Sequence, residues 1–363
     1  MQVNGGNGTP AAAQSPIGVN LDFGEHETWD TALNAMADTP AAADIIVASW
    51  GRVRMWIRRR YCSPRMSARL SSPEGFAELN ALVSPENPSL GALEFGRQGG
   101  FVHGSHRYRV MRVKVLGGEE YTLRVLPAQV PTPSAVLLPE QLVKRFVELE
   151  DGLVVFAGAT GHGKTTSIAA LVGECARKSA SRIISIEDPV EYIHPDLPNG
   201  STFSLRGVGE HCKGFTEALE EALRMSPNVI VFGEIRTPEA AEIAIHAALS
   251  GHKVICTVHG GSVDMALQRI GDMCADLGNN GTGAFAQAFR IAVAQQLVPA
   301  PSGMLVPLHE ILTYDKSVET KIRNGKYFTL RQDMEGGSTT GMQTFDQSRA
   351  LHVAHRRLPA RLT

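Results

Sequence analysis

From residue 140 onward the chain alternates between short, continuous apolar runs and longer stretches of helical period. The runs are LVVFAGA, RIISIE, NVIVFGE and KVICTVH. Unbroken apolar runs of strand length are expected of parallel strands buried on both faces. Helical patterns follow them, as in TSIAALVGECARK and in the segment opened by Thr237 and Pro238 and closed by Gly251. There the N-cap, the first helical position and the residue past the end each carry the expected type, and Ala240, Ile243, Ala244 and Ala247 form the apolar face. Strand and helix in alternation predict an α/β domain with a parallel sheet covered by helices.

The N-terminal part has a different rhythm. Arg52 and Arg54 alternate with Val53 and Met55, the two-residue period of a half-buried strand whose arginines face away from the core. RYRVMRVKVLGGEEYTLRVLP reads as two strands joined at Gly117 and Gly118, residues able to take the positive φ of a tight hairpin. A smaller α+β domain is therefore expected over 17–127, after a disordered tail at 1–16. Pro131, Pro133 and Pro139 make 128–139 a stiff linker, the α/β domain fills 140–350, and the basic residues 351–363 are expected to fray.

Composition narrows the function. A net charge of −2 lacks the basic excess of a protein that lives on nucleic acid, and no apolar run reaches the ~20 residues of a membrane span. The opening residues do not resemble a secretory signal, and the five cysteines form no CxxC pair. Reduced thiols and a cytoplasmic protein, reaching a membrane only through partners, fit this pattern.

The chemistry concentrates at residues 158–165, GATGHGKT, a full phosphate-binding loop between the strand LVVFA and a helix. Gly158, Gly161 and Gly163 let backbone N–H groups of Ala159, Thr160, His162 and their neighbours converge on phosphate oxygens, at a helix N-terminus that favours anions. Lys164 is the residue expected to reach the β and γ phosphates of ATP, and the Thr165 hydroxyl to ligate Mg²⁺, with Thr166 close by. His162 occupies a variable position with no expected catalytic role.

In open α/β sheets ligands bind at the carboxyl ends of the strands, so polar residues ending the other runs should face the same phosphates. These are Glu187 with Asp188, Glu234, and His259. Hydrolysis needs a carboxylate to orient or deprotonate water and groups to hold Mg²⁺, which makes Glu187 and Glu234 the candidates.

Taken together these motifs resemble the PilT-like ATPases of the type II/IV secretion and type IV pilus superfamily, over most of residues 100–350. IEDPVEYIH at 186–194 resembles the family's Asp box, ALRMSPNVIVFGEIR at 222–236 its atypical Walker B and SGHKVICTVH at 250–259 its His box; GGSTTGMQTFDQS at 336–348 is also similar. The resemblance implies a RecA-like P-loop domain behind a smaller PAS-like α+β domain. It implies that Glu187 and Glu234 share the base and Mg²⁺ duties, with Glu234 beside Thr165 at the metal, and that His252 and His259 sense the γ-phosphate. It further implies a homohexamer in which Arg107, Arg109 and Arg124 close on nucleotide and Arg206, Arg224 or Arg236 acts across subunits. The missing four-cysteine element resembles the shorter, retraction-type branch; conjugative relatives such as TraJ and DotB fall within the same resemblance. The partner would then be an inner-membrane pilus or secretion platform. A nucleic-acid-dependent RecA or helicase-like motor and a non-hydrolysing nucleotide-binding subunit are the alternatives, the first motivated by the arginines from Arg52 to Arg65, the second by Gly260 and Gly261 standing where the family usually has threonines.

Overall fold

The computed structural model describes residues 21–39, 42–57, 60–83, 98–276 and 281–360; the expected tail at 1–16 lies outside them. The chain divides into two compact units, Met1–Ala128 and Gln129–Thr363.

In the first unit β1 (Asp22–Phe23) and α1 (Trp29–Ala37) are followed by β2 (Ala42–Ala48), β3 (Val53–Ile57), β4 (Arg60–Cys62), β5 (Arg65–Met66) and α2 (Pro73–Val83). Three strands complete it: β6 (Gln98–His103), β7 (His106–Val115) and β8 (Gly118–Leu126). Six of these strands form an antiparallel sheet in the order β4-β3-β2-β8-β7-β6, while β1 pairs with β5. One face is packed: Ile45, Val47, Met55, Tyr108, Val110, Tyr121 and Leu123 meet Trp29, Leu33, Met36 and Leu79 of the two helices. As the period requires, Val53, Met55 and Ile57 are buried while Arg54 and Trp56 lie on the other face. The β7–β8 turn closes at Val115 opposite Gly118, with φ of 98° at Gly117 and 151° at Gly118, angles that side chains rarely tolerate.

The second unit begins with the proline-rich segment, which is not a free linker. Leu138 is buried beside Leu142 and Phe146 of α3 (Glu140–Glu148), so apart from Ala128 the segment expected to space the domains is built onto this unit. Then come β9 (Gly152–Ala157), α4 (Lys164–Lys178), β10 (Arg182–Glu187), β11 (Thr202–Gly207), α5 (Phe215–Leu223), β12 (Val229–Glu234), α6 (Pro238–Leu249) and β13 (Lys253–Val258). The remainder is α7 (Val263–Asp276), α8 (Gly281–Ala288), β14 (Phe289–Pro299), β15 (Leu305–Thr313), α9 (Lys316–Arg323), α10 (Leu330–Gly336) and α11 (Phe345–Ala354).

The sheet order is β11-β10-β12-β13-β9-β14-β15, parallel except for the β14–β15 pair. Helices cover both faces. Leu153 and Val155 of β9 point into a core shared with α5, α6, α7 and α8, and Val154 and Phe156 into one shared with α3 and α4. Thr237 caps α6 by accepting from Ala240 N, with Pro238 at its first position. Residues 351–360 are more ordered than their basic composition predicts. A capping box of Thr344 and Gln347 starts α11, which runs into the segment expected to fray, and Leu358 is buried with Val306 and Leu308. Leu358 and the partly buried Val353 give that segment apolar contacts that its basic composition does not disclose.

Candidate functional site

The six residues of β9 are buried, and the strand ends at the middle of the sheet, where Gly158 turns the chain into the loop. Gly158, Gly161 and Gly163 have φ of 145°, 76° and 79°. At Gly158 a Cβ would stand 2.5 Å from the Gln295 carbonyl oxygen, so the position needs glycine both for its angle and for this close approach. α4 starts at Lys164, aiming its free N–H groups and the positive end of its dipole into the loop.

Lys164 Nζ donates to the carbonyls of Gly158 at 2.7 Å and Ala159 at 3.1 Å. Burial lowers its pKa, an effect opposed by the charges of Glu234 and Glu191. Thr165 follows in the first turn, partly buried. The Thr166 hydroxyl accepts from Tyr192 at 3.0 Å, which ties the segment after β10 to the phosphate loop's helix.

Register brings the expected strand ends to one edge. Val258 of β13 aligns with Ala157 of β9, Thr257 with Glu234, and Ile186 with Phe232, so Glu187, Glu234 and His259 emerge on the side of the loop. β12 is two strands from β9 and β10 three, placing their backbones ~10 and ~14 Å away. Glu234 is held from two sides. Arg236 donates to its Oε2 from Nε at 2.7 Å, and that ion pair raises the arginine's pKa, with Asp188 contributing. His259 Nε2 stands 3.1 Å from Oε1 without hydrogen-bond alignment, so this buried oxygen keeps an unfilled acceptor.

His252 corrects the expectation drawn for it. Its carbonyl accepts from Gly152 N and its Nδ1 lies 3.0 Å from Ala247 O, at the amino end of β13. The six residues of β13 between them put it roughly 20 Å from His259, so within its own chain it cannot sense a phosphate bound at the loop. Arg206 is occupied on α5 by Glu221 and the Ala218 carbonyl, whereas Arg224 is exposed at the end of that helix. Arg107, Arg109 and Arg124 belong to the first unit, where Arg109 faces Arg124 across the strands and Arg124 Nε donates to Asp44 at 2.7 Å.

Three contributors escaped the sequence reading. Glu191 lies close enough to act on the Lys164 charge, and Tyr192 braces Thr166. Gln295, 2% exposed on β14, donates to the His162 carbonyl and accepts from Ser167, each at 2.8 Å. A glutamine inside the run IAVAQQLV was the available signal, because a polar side chain in a strand buried on both faces must have a partner. Among the described residues no group of three or more His, Cys, Asp or Glu forms a cage for a metal, and no helix is long and apolar enough to cross a membrane.

A glycine-rich loop leading from a central parallel strand into a helix, with acidic side chains at neighbouring strand ends, defines the P-loop nucleotide-binding class. The chain matches the family model described as "Type II/IV secretion system protein" over residues 101–326, more than half its length, and belongs to that family. It is 37% identical over 236 residues to the type IV pilus ATPase PilU of Pseudomonas aeruginosa, covering 62% of this chain and 59% of that protein. It is 30% identical to the type IV pilus retraction ATPase PilT of the same species, covering 68% of this chain and 71% of the relative. The crystal structure of the pilus retraction motor PilT with bound ADP superposes with a TM-score of 0.72 at 26% identity, over 88% of this chain and 91% of that one. The chain thus spans about three fifths of PilU, the first of these relatives.

Proposed function

We propose that this chain is an Mg²⁺-dependent ATPase, working as a homohexameric motor that powers a type IV pilus in the retraction direction or a related type IV or conjugative secretion machine. The observation that carries the reading is Glu234. Its carboxylate is fixed by Arg236 on one oxygen, while the other is buried, unsatisfied and turned toward the edge that holds Lys164 and His259.

The loop N–H groups and the α4 dipole bind the phosphates, and Lys164 exchanges its carbonyl partners for phosphate oxygens. The residues present fit Mg²⁺: a hydroxyl in the first helical turn, Thr165, and the unfilled Glu234 oxygen complement an ion that keeps waters and phosphates among its ligands. When bound, Mg²⁺ neutralises charge developing on the β and γ phosphates. Strand order supports a division of labour. Glu234, nearer β9, serves the metal side, and Glu187, one strand further out, accepts the proton of the attacking water. His259 reports the γ-phosphate to Glu234. Arg107, Arg109, Arg124, Arg224 or Arg236 would supply positive charge at subunit boundaries, a contribution worth roughly 10³- to 10⁵-fold in related phosphoryl transfers.

The names of PilU and PilT support the pilus reading; a cytoplasmic ring docked on an inner-membrane platform protein follows from it. The test is ATP hydrolysis measured against oligomeric state, with and without DNA, for the native chain, Lys164→Ala, Glu187→Gln and Glu234→Gln. A hexamer that turns over without DNA, and loses turnover but keeps nucleotide binding in Glu187→Gln, supports the motor. A chain that hydrolyses only with DNA is instead a nucleic-acid motor, and one that binds ATP without turnover is a non-hydrolysing subunit.

A further inference from the structure

β14 lies between β9 and β15, and its alternate residues face opposite cores. Ile291 and Val293 point toward α3 and α4, Ala292 and Ala294 toward the core shared with α7. Gln295 and Gln296 end the two series. The first grips the phosphate loop along its length: its side chain bonds the His162 carbonyl and Ser167 hydroxyl, its carbonyl oxygen lies 3.3 Å from His162 Nδ1, and the backbones of Gly158 and Gly163 pack against it. The second reaches the other loop, with Nε2 3.5 Å from the Gly261 carbonyl.

The partner strand repeats the arrangement. Glu310 of β15 lies opposite Ala294 and is 4% exposed. Its Oε2 accepts from Val263 N at 2.8 Å, the first residue of α7 and four residues after His259. A carboxylate at a helix start satisfies an N–H that the helix cannot pair and interacts favourably with its dipole. This fixes where the 259–262 segment ends.

We infer that the antiparallel pair β14–β15 is the frame that sets the phosphate loop against His259, with Gln295 as the positioning residue of the loop and Glu310 as that of the His259 segment. Neither touches substrate; each acts through a backbone it holds. The inference rests on the reading of this site as an ATPase, but its Gln295 arm needs only nucleotide binding.

The experiment uses the full chain and measures the ADP dissociation constant, kcat, KM and Tm. Gln295→Leu keeps the volume but loses both side-chain bonds, and should weaken ADP on the order of tenfold. Glu310→Leu should lower kcat on the order of tenfold while ADP affinity stays within about twofold. Glu310→Gln, whose amide oxygen still accepts from Val263 N, should restore most of that kcat. Native ADP affinity in folded Gln295→Leu, equal loss of affinity and kcat in Glu310→Leu, or no rescue by Glu310→Gln would each overturn the frame. If a leucine variant does not fold, Ser167→Ala and Gln296→Ala replace it. They should then cost about threefold in affinity and in kcat respectively, and native values would count against the proposal. A native chain that binds ADP but never hydrolyses ATP defeats the ATPase reading and leaves the Gln295 result standing on its own.

Discussion

The two sheets place their polar residues by opposite rules. The seven-stranded sheet is covered on both faces, so the charged side chains of β10, β12 and β13 sit at strand ends, and parallel register delivers Glu187, Glu234 and His259 to the edge where the phosphate loop begins. The six-stranded sheet is packed on one face, so Arg54, Arg109 and Arg124 are spread across the other. In the first sheet a polar residue is informative because burial leaves it few places to be. In the second, alternation alone accounts for an arginine, and position says little about its task.

The sharpest way to strain this contrast is at the loop and its acidic neighbour. Lys164→Ala and Glu234→Gln should each cut steady-state ATP turnover on the order of 10²-fold or more, with Glu234→Gln retaining nucleotide binding. If Glu234→Gln hydrolysed ATP normally, the strand-end rule would have failed at its best-supported residue.

A second comparison sits at the two ends of β13. His259→Ala should lower kcat on the order of tenfold or more, through loss of the group next to Glu234, whereas His252→Ala should leave kcat within about twofold. Equal losses from the two would break the contrast between the two ends of the strand.

Stability against pH probes a buried group far from this contrast. Burial, with the nearby His352, pushes His309 down to about 3 from its ordinary 6.5, and neither ring nitrogen has a hydrogen-bond partner. The unfolded chain binds this proton more readily, so stability is full above about pH 6.5 and falls as pH drops toward 3, by roughly 2 kcal/mol at pH 5. His194, lowered to about 4 mainly by burial, acts in the same direction. Denaturant titrations at pH 7 and pH 5 should show a smaller pH effect in His309→Leu than in the native chain.

The smallest expected effect is in the first unit. Arg124→Ala breaks a half-exposed pair with Asp44 and should change unfolding stability by less than about 1 kcal/mol. A large loss of turnover with so small a change in stability would give the strand-face arginine a catalytic task that its position does not disclose.

Much of this was legible in the chain. The strands, the hairpin at Gly117, the capped α6 and the phosphate loop follow from local chemistry: apolar period, residues that tolerate positive φ, and side chains that cap helices. The order of the proline-rich segment and of residues near the C-terminus was not, since Leu138 and Leu358 become core only when distant residues arrive to cover them.

By itself, then, the sequence determined which elements form and which residues end them, because those choices depend on neighbours a few positions away. Tertiary structure decided what meets at those ends. Parallel register set His259 beside the phosphate loop and His252 beside Gly152 at the opposite end of β9, and the return of the chain after β10 carried Glu191 and Tyr192 to the loop. The insertion of β14 beside β9 gave the buried Gln295 its partners more than a hundred residues away. Such pairings are set by strand order and by the requirement that buried polar groups be satisfied, and neither is written in any local stretch of chain.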